Sequence, residues 1–256
     1  MLITIDVGNT QTVMGLFDGS DLVDQWRLST VRERTADEYR LFFAGLLRQD
    51  GYRVEDVDGA ALSSVVPTAK EALIEVARAM VDGPLVVVGP GVRTGMAISI
   101  DNPREVGADR VVNSVAAVHR YGAPVVTVDF GTSTNFDVVD ASGAYIGGSI
   151  APGLEVSEDA LIAATAALRR VETRPPRSPI GRNTVEAMQS GLLYGHAGLV
   201  DGIVDRIKDE LGGEPRIVAT GGLASTIVPL CRTVDVVDAW LTLDGLRIIY
   251  EMNAEE

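Results

Sequence analysis

Two carboxylates in this chain sit in the same local setting. Asp6-Val7-Gly8-Asn9-Thr10 follows the apolar run Leu2-Ile3-Thr4-Ile5, and Asp129-Phe130-Gly131-Thr132-Ser133-Thr134 follows Val125-Val126-Thr127-Val128. Each strand-like run delivers an aspartate to a glycine turn rich in hydroxyl groups. A metal-bound phosphate needs that equipment: an anion for the cation, and backbone N–H groups for the phosphate oxygens. One strand ending in Asp-x-Gly is weak evidence, since both residues dominate turns. Two copies in matching positions are far stronger.

Two unrepeated segments add to these. Ala219-Thr220-Gly221-Gly222-Leu223-Ala224 joins a strand to a helix. Its paired glycines either give a flat ligand such as adenosine close access to the backbone or simply make the turn. The segment from Asp101 to Arg110 packs three acids, two arginines, a proline and a glycine ahead of a helix at 111–118. There Asp109 reads as a helix cap stabilised by the dipole. Alternatively it accepts a proton from a substrate hydroxyl while Arg110 holds an anion.

The elements that carry these residues repeat as well. After Asp6 come strands at 12–17 and 22–26 around an Asp18-Gly19 turn. After Asp129 come strands at 136–139 and 145–150 around Ser142-Gly143. Each meander precedes a helix, at 35–47 and 157–168, then a strand at 60–66 or 217–220, and a last strand at 85–88 or 234–237. This βββ-α-β-α-β order, used twice, predicts an α/β protein of two mixed-sheet halves, 1–112 and 113–256, with a ligand in the cleft between them. A long helix at 185–211, capped by Asn183 or Thr184, interrupts the second half. Gly191, Gly195, Gly198 and Gly202 share one of its faces, which either packs on the sheet or meets another subunit.

The 256 residues can bury a substantial core, and 46% hydrophobic content excludes disorder. No apolar run reaches the roughly 20 residues of a membrane helix. The first residues lack the basic and small-residue features of a signal peptide, so a cytoplasmic address is expected. A net charge of −14 argues against nucleic-acid binding. Neither lysine, Lys70 or Lys208, stands in a P-loop. The lone Cys231 reads as packing, and His119 and His196 as structural.

Asp6-Val7-Gly8-Asn9-Thr10, Thr35-Ala36-Asp37-Glu38, the stretch from Asn102 to Arg110, Asp129-Phe130-Gly131-Thr132, Gly147 to Gly153, Gly181-Arg182-Asn183-Thr184 and Ala219 to Ala224 together closely resemble the type III pantothenate kinases. The match runs in order through nearly the whole chain. It implies a duplicated ribonuclease H-like fold of the actin-like ATPase, acetate kinase and sugar kinase type. It also implies ATP-dependent phosphorylation of pantothenate to 4'-phosphopantothenate, by a homodimer using magnesium and ammonium or potassium. By position, Asp6, Val7, Gly8, Asn9, Thr10, Gln11, Thr12 and Val13 would cradle the ATP phosphates, with Asp6 serving magnesium directly or through water. Thr132 would face the phosphates, Gly221 and Gly222 the nucleotide, and Asp129 the monovalent cation. Gly107, Ala108, Asp109 and Arg110 would bind pantothenate, with Asp109 as proton acceptor and Thr184 on the same substrate.

Three positions depart from the family pattern. Ser133 stands where an alanine is common, Asn135 where a threonine is, and Ile100 where many relatives carry an aromatic residue. A sugar or acetate kinase would lack the cluster from Asn102 to Arg110. A regulatory accessory protein would need a lost catalytic residue or a DNA-binding module, yet Asp6, Asp109, Arg110 and Asp129 are all present and no basic tail exists.

Overall fold

The computed structural model describes residues 1–254. Its first sheet is built from β1 (Leu2–Val7), β2 (Gln11–Asp18), β3 (Asp21–Ser29), β4 (Gly59–Ser64) and β5 (Leu85–Val87), in the order β3-β2-β1-β4-β5. The second uses β6 (Val125–Phe130), β7 (Ser133–Val139), β8 (Tyr145–Pro152), β9 (Arg216–Thr220) and β10 (Val236–Val237), in the order β10-β9-β6-β7-β8. The two orders are the same. In both, the first two strands pair antiparallel and the first and fourth pair parallel. The duplicated mixed-sheet architecture read from the sequence is therefore present.

Burial follows strand position. Ile3, Thr4 and Ile5 of the central β1 are all fully buried, since both faces are covered. The edge strand β3 mostly alternates between exposed and half-buried residues.

Helices α1 (Ala36–Gln49) and α2 (Pro67–Met80) pack with the first sheet, burying Tyr39, Phe43, Leu47, Leu73 and Val76. Thr35 and Glu38 close a reciprocal capping box that fixes the start of α1. The helix α3 (Ala108–Tyr121) follows, and then α4 (Leu154–Ala163) and α5 (Thr184–Leu211).

The helix expected at 157–168 begins and ends earlier. Gly153 occupies its cap, and the Thr165 hydroxyl donates to Leu161 O at 2.9 Å beyond its last turn. Buried Glu158 then accepts from the Val171 amide at 2.7 Å, which turns the chain back instead of extending the helix.

Helix α5 has Asn183, not Thr184, as its cap: the side chain accepts from Glu186 N, and Gly212 ends the helix in the left-handed conformation at φ 66°. Leu193, Ala197, Val200 and Val204 form its buried stripe. A Cβ on Gly191, Gly195 or Gly198 would meet nothing within 4 Å, so this face does not pack on the sheet.

The short α6 (Ala224–Ile227) follows β9, and α7 (Leu241–Asn253) ends the described chain. The compact units do not coincide with the halves 1–112 and 113–256. Among the described residues one unit comprises Met1–Ala97, Asp101–Ala116 and 241–254; the other comprises Ile98–Ile100 and Ala117–Trp240. Leu241, Leu243, Leu246 and Ile249 are buried, and α7 contacts β1, β2, β4 and β5. Among the described residues no helix is long and apolar enough to cross a membrane.

Candidate active site

In the first unit, Asp6 lies near the end of β1, in register with Val13 on β2 and Ser63 on β4. Ser63 is fully buried, and its hydroxyl donates to Asp6 Oδ1 at 2.5 Å. The following turn is closed by Gly8 N–H donating to Gln11 O at 3.0 Å. Thr30, just past β3, braces it. The Thr30 hydroxyl donates to Gly8 O at 2.8 Å and meets the Thr12 hydroxyl at 2.9 Å, while its amide donates to Thr10 O at 2.9 Å. Val7 and Thr12 are buried, whereas Asn9, Thr10 and Gln11 are exposed at the tip. The accessible part of this predicted phosphate cradle is thus its tip, and Val7 and Thr12 serve packing and bracing.

Asp6 keeps a window to solvent at its strand end, but protein crowds it closely. Burial pushes its carboxyl up to about 7; the Ser63 hydrogen bond opposes that shift, and the charge of Asp109 adds to it. The structure therefore brings Asp6 and Asp109 together.

Asp109 is not the cap of α3. The amides of Arg110 and Val111 donate to Gly107 O, which puts Gly107 at the cap and Ala108, Asp109 and Arg110 in the first turn. Asp109 Oδ1 accepts from the Arg110 amide at 2.9 Å. Burial raises its pKa, and the Arg110 amide and guanidinium work against that. A Cβ on Gly107 would lie 2.5 Å from Asp109 Oδ1, so glycine is what leaves the carboxylate its place.

The second unit repeats the turn with different bracing. Asp129 pairs in register with Asn135 and Thr220, and Gly131 N–H donates to Ser133 O at 3.0 Å. Gly153 comes from the end of β8 and donates to Thr132 O at 3.1 Å; a Cβ there would collide with the carbonyls of Gly131 and Thr132. Thr132 itself is exposed. Ser133 and Asn135, the two departures in this turn, are bonded to each other, hydroxyl to Oδ1, at 2.9 Å.

The glycines after β9 divide their work. Gly221 has φ 91°, and a Cβ on it would collide with Asp129 Oδ1 and the Phe130 backbone. Its lack of a side chain makes room for Asp129. Gly222 has open space beside it and keeps the ligand-facing reading. Thr184 is the exposed first residue of α5.

One supporting residue escapes the sequence reading. Ser63 sits inside an apolar strand with no local mark of its partner. His196 is structural, as the sequence implies: it is buried, and its Nε2 lies 2.9 Å from the Thr134 hydroxyl in the strand after the second turn. Burial lowers the pKa of this imidazole, which favours its neutral form. Cys231 is no nucleophile, because burial pushes its thiol up to about 12.

Among the described residues no group of three or more His, Cys, Asp or Glu side chains could hold a metal. A single carboxylate with one oxygen still accessible suits magnesium, which keeps waters and takes most ligands from substrate phosphates. Asp6 offers such a carboxylate: it is half-buried, and Ser63 engages it through Oδ1.

The chain is similar to known proteins along its length. A family model described as type III pantothenate kinase matches residues 2–206. A type III pantothenate kinase of Acidothermus cellulolyticus is 54% identical over 257 residues, covering 100% of each chain. One from Frankia alni is 53% identical over 254 residues, covering 99% of this chain and 100% of its own. Among solved structures, the (R)-2-hydroxyglutaryl-CoA dehydratase component A of Acidaminococcus fermentans aligns at TM-score 0.60 and 14% identity, over 100% of this chain and 99% of that one. MreB 5 of Spiroplasma citri bound to AMPPNP aligns at 0.55 and 11% identity, over 98% and 96%. At such identities these two speak for the duplicated actin-like fold alone.

Proposed function

Since this chain belongs to the type III pantothenate kinases, and so phosphorylates pantothenate with ATP in the first step of coenzyme A synthesis, we propose that Asp109 takes the proton from the pantothenate hydroxyl while the turn after Asp6 carries the ATP phosphates. The observation behind this division is the pair of half-buried carboxylates in the first unit, one at a phosphate-type turn and one in the first turn of a helix. As the hydroxyl oxygen forms its bond to the γ-phosphorus, the bond to the β,γ-bridging oxygen breaks and ADP leaves. The hydroxyl proton passes to Asp109, whose raised pKa brings it nearer the working pH than a free aspartate. Magnesium, held by Asp6 directly or through water, supplies charge neutralisation at the phosphate oxygens.

The remaining assignments follow the same logic. Asn9 to Gln11 and Thr132 offer backbone N–H and hydroxyl groups to phosphate, Gly8 closes the turn that presents them, and Gly222 lets the nucleotide approach. Arg110 and Thr184 bind pantothenate together with the backbone of Gly107 and Ala108. Asp129 holds potassium or ammonium, and Gly221 keeps the space that its carboxylate occupies. A coupled ADP-release assay, with and without pantothenate in potassium and in sodium buffers, tests the whole. Turnover should require pantothenate and rise with potassium, and Asp129→Ala should abolish the potassium response. Turnover indifferent to pantothenate overturns the reading, and a variant still activated by potassium moves the cation elsewhere.

We further propose a homodimer, supported by the open glycine face of α5, where Gly191, Gly195 and Gly198 leave backbone accessible for close helix contact. Gly198→Leu should halve the mass measured by light scattering, and an unchanged mass would reject this interface. A cytoplasmic enzyme is the matching expectation, since its substrates are small soluble metabolites.

A further inference from the structure

The Ser63 hydroxyl donates a hydrogen bond to the Asp6 carboxylate. Four observations bear on it. Ser63 is fully buried, so its hydroxyl has no solvent alternative. It stands in register with Asp6 on the adjacent parallel strand, and residues paired in this way project from the same face of the sheet. Its 2.5 Å bond to Oδ1 is the short length expected of a hydroxyl donating to a carboxylate. Both neighbours of Ser63 in β4, Leu62 and Ser64, belong to a strand held on both sides by β1 and β5, so its backbone is a rigid platform.

We propose that Ser63 is a positioning residue for the metal-bearing carboxylate: by occupying Asp6 Oδ1 it fixes the rotation of the carboxyl group and presents Oδ2 to the magnesium–phosphate complex. This rests on the metal role assigned to Asp6 above. Partners that orient a metal-bearing group typically matter about 10- to 100-fold in metal affinity. Without the hydroxyl, Oδ1 loses its donor and both oxygens compete for the cation and for water. The fixed approach direction is lost, while the pantothenate residues are untouched.

The test uses the full-length enzyme and isothermal titration with AMP-PNP, once with magnesium and once in EDTA. Ser63→Cys keeps the size of the side chain but donates weakly, and Ser63→Ala removes the donor. Both should bind magnesium–AMP-PNP about 10- to 100-fold more weakly. Binding of metal-free AMP-PNP should change less than about twofold, and the KM for pantothenate should stay put. The magnesium concentration for half-maximal turnover should rise. Ser63→Thr, which restores a hydroxyl, should recover most of the magnesium-dependent affinity, whereas a packing role would be met by cysteine instead. Either folded variant binding magnesium–AMP-PNP like the wild type overturns the proposal, as does rescue by cysteine but not threonine. Asp6→Asn, run in parallel, separates the layers. If it too retains magnesium-dependent binding, the Asp6 assignment itself fails; if it alone loses binding, only the role of Ser63 fails.

Discussion

Asp109→Asn should turn over pantothenate about 10² to 10⁴ times more slowly than the wild type while folding normally and binding both substrates. The substitution is nearly isosteric. Asparagine still offers Oδ1 to the Arg110 amide, and Gly107 still leaves the side chain its space. What disappears is the capacity to take a proton. The pH profile should change in kind as well as height. Burial holds the Asp109 pKa above the ordinary aspartate value, and the base works only when ionised. Wild-type turnover should therefore fall as pH drops through that raised value, and the asparagine variant should lack this limb. Single-turnover rates across pH make the comparison. Near wild-type turnover in the variant removes Asp109 from the proton transfer.

Asp6→Asn should lose magnesium-dependent activity and yet be the more stable protein at alkaline pH. Burial pushes the carboxyl up from the ordinary aspartate value of 3.8 to about 7 in the folded state. Between those values the folded state holds more protons than the unfolded one, so stability falls as pH rises across the window. The loss is complete above about 7. At about 1.36 kcal/mol per pH unit, the full shift corresponds to about 4 kcal/mol, an upper figure because Asp6 keeps a window to solvent. Asparagine cannot ionise and can still accept from Ser63. In EDTA at pH 8 the variant should gain about 2 to 4 kcal/mol, and the two proteins should converge near pH 4. Urea midpoints against pH provide the measurement. Equal stability at pH 8, or a gap that persists at pH 4, would contradict the raised carboxyl.

Much of this was legible in the chain because the signals are local. Strand, aspartate, glycine and hydroxyl recur within ten residues in each half, and turn residues mark the meanders. The duplicated sheet order followed, as did the start of α1 from the Thr35 and Glu38 box. Other features depend on residues far apart in sequence. Ser63 reaches Asp6 only through the register of two parallel strands. His196 reaches Thr134 from the middle of a long helix. Gly221 makes room for Asp129, which lies beside it only in the folded chain. The start of α4 carries no local mark, because Gly153, rather than a polar side chain, occupies the cap.

The return of α7 to the first unit has a consequence for how the protein is born. That unit begins with Met1 but includes residues 241–254, while Ala117–Trp240 belongs to the other. On a ribosome adding about 5 to 20 residues per second, the 124 intervening residues take about 6 to 25 s to emerge. Throughout that interval the part of the first sheet that Leu241, Leu243, Leu246 and Ile249 will cover has no partner from its own chain. The half that is translated first is thus completed last, and its nascent apolar surface is where a chaperone would find this protein during synthesis.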